Sequence, residues 1–82
     1  MYFIELSKSL KRFLNKIQKS DADIVLNKIY SIRDNPFPYL KRLKGEKLWR
    51  LRISKYRAIM DILISGKKII VLRIGHRKNV YG

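Results

Sequence analysis

At 82 residues the chain is long enough for one domain and too short for a second core, and such a length sustains only ~4 to 12 kcal/mol of net stability. An apolar fraction of 46% with 11% aromatic residues excludes wholesale disorder, and the absence of cysteine excludes disulfide scaffolds, thiol catalysis and cysteine-ligated zinc. Twenty Lys and Arg against six Asp and Glu leave a formal charge of +14, which calls for an anionic partner, with nucleic acid ahead of acidic proteins and anionic membrane surfaces.

No apolar run is longer than Ile69 to Leu72, whereas a membrane-spanning helix needs ~20 such residues. With no hydrophobic signal core at the start, the expectation is a soluble, cytoplasmic protein with no membrane partner.

In chain order, Tyr2-Phe3-Ile4-Glu5-Leu6 predicts a short strand, being rich in aromatic and branched residues and ending at a serine. Ser7 is placed to cap a helix from Lys8 to about Lys19, in which Leu10, Phe13, Leu14 and Ile17 recur at helical spacing while Lys11, Arg12, Lys16 and Lys19 fill the other face. Ser20 and Asp21 offer a second cap, and Asp21 and Asp23 set negative charge at the positive end of the next helix dipole. That helix carries a stripe of Ala22, Val25, Ile29 and Ile32, with Leu26 at its margin, and stops at Asn35-Pro36 because the residue before proline avoids the helical region. So short a joint makes the two helices antiparallel.

Asn35 to Tyr39 is a stiff connection holding both prolines. Beyond it Trp49, Leu51 and Ile53 alternate with Arg50 and Arg52, the period of a strand with one apolar and one cationic face. Ser54-Lys55 turns the chain tightly into a strand from Tyr56 to Leu63, and Ser65-Gly66 is expected to supply the positive φ of a hairpin into Lys68 to Ile74. Gly75 breaks the pattern before the polar stretch His76 to Asn79 and a final Val80-Tyr81 extension. The fold class is therefore α+β, in the order βααβββ, with two N-terminal antiparallel helices on one face of an antiparallel sheet. No repeat or linker interrupts it, so residues 1–82 form a single domain.

Basic residues crowd between Lys41 and Arg57, opposed there by Glu46 alone. Arg50 and Arg52 point to the same side of their strand ~7 Å apart, close to the spacing of successive phosphates in an extended nucleic-acid strand, and the planar guanidinium fork suits that contact. Alternating arginines equally describe the solvated side of a half-covered sheet. Because two helices cover only one side, the other is open, with Arg57 and Arg73 reaching it from neighbouring strands; Arg73 reads equally as an ion-pair partner of Asp61. His76, the one histidine, is either a turn residue or a group able to transfer protons near neutrality, and alone it builds no metal site. Tyr81 is either an apolar plug at the sheet edge or a phenol whose pKa nearby cations lower below ~10. Trp49 and Phe13 belong to the core. Six acids, two of them spent on a helix cap, leave no pair of catalytic carboxylates, and no glycine-rich phosphate loop is present. No metal or cofactor is expected.

Leu48 to Met60, with Tyr56-Arg57 opening a strand, and Val71 to Tyr81, with the ending Gly75-His76-Arg77-Lys78-Asn79-Val80-Tyr81, resemble the RelE branch of the RelE/ParE toxins over nearly the whole chain. The resemblance implies a βααβββ toxin of a type II toxin–antitoxin system, a metal-independent endoribonuclease that cleaves mRNA in the ribosomal A site and is silenced by a cognate, acidic RelB-like antitoxin. It carries a catalytic role onto Arg57, Arg77 and Tyr81, to which His76 adds a local candidate, and an RNA-holding role onto Arg50 and Arg52. The basic residues Lys47, Lys55, Arg73 and Lys78 join that RNA-binding set. Some relatives have lysines at the strand pair, and arginine is a poor general base, so Arg50 and Arg52 stabilise charge rather than move protons. Two rivals stay open: a ParE-type toxin that poisons DNA gyrase, and a non-catalytic basic module that binds RNA or ribosomes.

Overall fold

Strand β1 (Phe3–Leu6) leads into helix α1 (Lys8–Lys16) in the computed structural model, which describes residues 1–76. Ser7 caps α1 as its position predicts. The hydroxyl accepts the Leu10 N–H at 3.1 Å and donates to the Leu72 carbonyl at 2.6 Å, so a cap worth ~1 kcal/mol also pins the helix to the sheet. Helix α1 ends at Lys16, short of the expected Lys19, because helix α2 (Lys19–Ser31) begins ahead of the predicted Ser20-Asp21 cap. Gln18 precedes α2 without a side-chain cap, and Asp21 lies inside the first turn, where its negative charge still complements the positive end of the helix dipole. Val25, Ile29 and Ile32 are buried as the stripe predicts, with Leu10 of α1 beside them.

A one-turn 3-10 helix, Phe37–Tyr39, follows the Pro36 stop and delivers the chain into β2 (Leu40–Arg42), β3 (Trp49–Ile53), β4 (Tyr56–Leu63) and β5 (Lys68–His76). The five-stranded sheet has the order β1-β5-β4-β3-β2. Two features differ from the sequence expectation. Strand β2 is additional, being too short for alternation to announce it, and β1 pairs β5 in parallel while all other pairs are antiparallel. A further correction concerns the β4–β5 turn, whose positive φ falls on Lys67 at 52° rather than on Gly66.

Leu51, Ile53, Tyr56, Ala58, Met60, Ile69, Val71 and Ile74 face the helices and form one core with them. The other side of the sheet is not wholly bare. The β2–β3 loop closes through a Leu43 N–H to Leu48 carbonyl bond of 3.0 Å, turns at Gly45 with φ 78°, and lays Leu43 and Leu48 over Ile59 as a second small core. Ile59 is thereby fully buried from the side the helices leave uncovered.

Candidate nucleic-acid interface

The register of the strands builds the site. Arg52 stands opposite Arg57 across the β3–β4 pair, and Arg57 opposite Gly75 across β4–β5. Leu40 stands opposite Leu51, so Tyr39, one residue earlier and on the other side of the chain from Leu40, arrives at the level of Arg52. A second row runs Lys41, Arg50, Ile59 and Arg73. Because side chains alternate along each strand, all of these point away from the helices. Tyr39, Lys41, Arg50, Arg52 and Arg57 line one depression of about 220 Å³.

Four cations and one aromatic ring thus share a small concavity, and no acidic residue is among those lining it. Like charges directly opposite on neighbouring strands disfavour pairing, and Arg52 stands opposite Arg57, so a depression with this lining suits an anion. Of the sequence candidates, Arg50, Arg52 and Arg57 are brought together here. Tyr39 and Lys41 complete the depression and were missed as site residues, because both depend on the unannounced strand β2. No local pattern announced either residue, since the strand that places them exists only by pairing with β3.

The other candidates are dispersed. Arg73 lies on the same side but beyond Ile59, exposed and without the Asp61 partner considered for it, since Asp61 pairs in register with Ile70. Lys47 sits in the β2–β3 loop and lines a different hollow with Trp49, Leu63 and Ile64. Lys55 turns to the helix side, where its ammonium is 3.4 Å from Asp21. His76 also lies on that side: it stands opposite Tyr56, and the two rings are 5.1 Å apart. Arg77, Lys78 and Tyr81 lie outside the described residues.

Tyr56 is the hub of this helix-side cluster. Its hydroxyl donates to Asp21 at 2.8 Å, and Phe13 meets its ring edge-on at 5.8 Å. The hydrogen bond from Tyr56 holds the Asp21 carboxyl below its ordinary value, helped by Lys55 and His76. Burial, and then the Asp21 carboxylate, push the Tyr56 phenol above its own ordinary value. Tyr56 is therefore a protonated structural donor near neutrality, while its neighbour Arg57 points into the cationic depression. Among the described residues no group of three or more His, Asp or Glu converges as a metal site.

A sequence model described as the ParE toxin of type II toxin–antitoxin systems matches residues 4–81. The chain belongs to this toxin family. The RelE1 protein of Methanocaldococcus jannaschii is 29% identical over 95% of this chain and 92% of its own. A chain of the RelBE2 toxin–antitoxin complex from Mycobacterium tuberculosis superposes with a TM-score of 0.85 at 22% identity, over 93% of this toxin and 98% of that chain. The archaeal RelE–RelB complex from Pyrococcus horikoshii gives a TM-score of 0.82 at 22% identity, over 96% and 98%. The toxin thus has the RelE fold. No helix among its described residues is long and apolar enough to cross a membrane.

Proposed function

We propose that this toxin is an endoribonuclease that cuts message presented in the ribosomal A site of the cytoplasm. The observation that supports the reading is the convergence of Arg50, Arg52 and Arg57 from two strands into one depression. In the proposed reaction a ribose 2′-oxygen attacks the adjacent phosphorus in line, forming the O2′–P bond as the P–O5′ bond breaks. The 2′-hydroxyl proton passes to a base and the departing 5′-oxygen takes up a proton, leaving a 2′,3′-cyclic phosphate and a 5′-hydroxyl. Arg57, with Arg77, balances the charge that builds on the phosphoryl oxygens, and Arg50 and Arg52 hold the backbone on either side. Guanidinium groups make poor bases, so the proton falls to Tyr81 rather than to His76, whose ring is occupied on the helix side of the sheet. Without a strong base, much of the rate comes from positioning, which suits a substrate held by the ribosome.

The natural inhibitor in this reading is an acidic, RelB-like antitoxin. A groove of about 570 Å³ lined by Leu6, Leu14, Ile17 and Leu26 together with Lys11 and Lys19 offers an amphipathic acidic helix both apolar contact and charge complementarity.

The deciding experiment maps message ends in a translating extract with wild type and Arg57→Ala. Discrete A-site ends that fall by ~10² to 10³ in rate in the folded variant support the nuclease. Full cleavage by Arg57→Ala removes Arg57 from the mechanism. The family description as ParE keeps the gyrase reading in view, and gyrase-linked DNA breaks without cut message would replace the nuclease with it. Ribosome association without either product would leave a non-catalytic binding module.

A further inference from the structure

We propose that Tyr39 is a nucleobase platform, so that the depression binds a nucleotide unit, base and phosphate together, rather than a bare phosphate backbone. The inference rests on the reading of this face as an RNA site and names the part of the ligand that the cations do not account for.

Three observations carry it. Tyr39 is 56% exposed, although an aromatic ring gains most by burial. It is held outward by a stiff support: Pro36 and Pro38 flank Phe37, the Tyr39 N–H bonds the Pro36 carbonyl at 3.0 Å, and Phe37 anchors the turn from below by edge contacts with Trp49 at 5.3 Å and Tyr2 at 6.4 Å. The Lys28 ammonium lies 5.2 Å from the ring centroid, and Lys28 is not among the residues lining the depression. One ring face is therefore taken by a cation from α2, leaving the other for a ligand.

The neighbours then specify what that ligand is. Tyr39 comes in at the level of Arg52, beside Lys41, so a base on the ring has its own phosphate within reach of the guanidinium row. Aromatic platforms beside a cationic track are the general means of holding single strands, and they tolerate every base because each has a π-face. A planar base stacked on Tyr39 would fix the rotation of its nucleotide about the phosphate, which a set of flexible arginines cannot do.

The test uses single-stranded 2′-O-methyl tetranucleotides, which lack the attacking hydroxyl, and an abasic strand of equal charge, with binding read by anisotropy. Tyr39→Ala and Tyr39→Leu are expected to weaken the base-bearing strand about 5- to 150-fold, the effect of one lost stack, and to leave the abasic strand unchanged. Tyr39→Phe should bind as wild type. Arg52→Gln should weaken both strands and flatten the salt dependence by the share of about one phosphate. Equal losses on the two strands in Tyr39→Ala, no loss on either, or no binding of either strand by wild type would overturn the platform. Because Tyr39 is exposed, its variants should retain the wild-type melting temperature. Discrimination of base from abasic strand by a toxin that leaves ribosome-bound message uncut would keep the platform and sink the nuclease.

Discussion

The Arg52–Arg57 pairing predicts a variant that is more stable and binds RNA less well. Directly opposed side chains on neighbouring strands start from Cβ atoms ~5 Å apart. Two unit charges ~6 Å apart in a water-like medium repel by about 0.7 kcal/mol. At ~0.01 M salt the Debye length of ~30 Å leaves most of that repulsion in place, whereas at ~1 M it is ~3 Å and nearly all is screened. For a domain of this size ~1 kcal/mol moves the melting temperature by ~4 to 8 °C, so Arg52→Gln should melt about 2 to 5 °C higher than wild type at low salt, and the gain should vanish at high salt. Thermal unfolding followed by circular dichroism, with Arg57→Gln and the double variant to close the cycle, measures it. A gain that persists at high salt, or a variant that melts below wild type at low salt, would show that the two guanidinium groups do not strain the sheet and would remove the charge-crowding argument for an anion site. The same Arg52→Gln protein should lose affinity for a single strand, which separates a site residue from an ordinary stabilising one.

Other consequences follow from the helix-side cluster and the second core. The Asp21 carboxyl is held below its ordinary value, so its share of stability is present above ~4 and is lost as pH falls through the lowered value. The Tyr56 phenol is pushed up, so its share holds below ~10 and is lost as pH rises from there through the raised value. Tyr56→Phe should flatten both arms of the stability profile, read as urea midpoints against pH, and an unchanged acid arm would contradict the coupling to Asp21. Leu43→Ala should cost about 2 to 4 kcal/mol and speed hydrogen exchange at Ile59, since Leu43 and Leu48 are its cover; a loss confined to the β2–β3 loop would show that the second core carries no load.

Legibility in the sequence tracked how local each signal was. Period-two alternation from Trp49 to Ile53 and the helical stripe of Val25, Ile29 and Ile32 each depend on one segment's own geometry, and both appear as read. Strand β2 was hidden because its three residues are fewer than any alternation needs, and its existence depends on pairing with β3. Tyr39 and Lys41 disappeared from the site for the same reason. The dispersal of His76 was hidden differently. Adjacency in sequence placed it beside Arg77, but alternation along β5 turns it with Ile74 toward the helices and leaves Gly75 next to Arg57. Carrying the strand two residues past Ile74, to His76, would have shown which face His76 takes.

The two sides of β4 explain how the toxin tolerates so concentrated a charge. Tyr56, Ala58 and Met60 are buried against the helices, while Arg57, between two of them, reaches the depression. Stability is drawn from one side and charge displayed on the other, so repulsion among four cations works against a sheet already anchored by its main core, with Ile59 pinned from the open side as well. Repulsion of this kind is relieved when an anion arrives, and the relief then adds to the binding free energy instead of being spent on folding. Phosphate should therefore raise the melting temperature of wild type more than that of Arg52→Gln at matched ionic strength. An equal rise in both would show that the anion is held elsewhere on this basic surface.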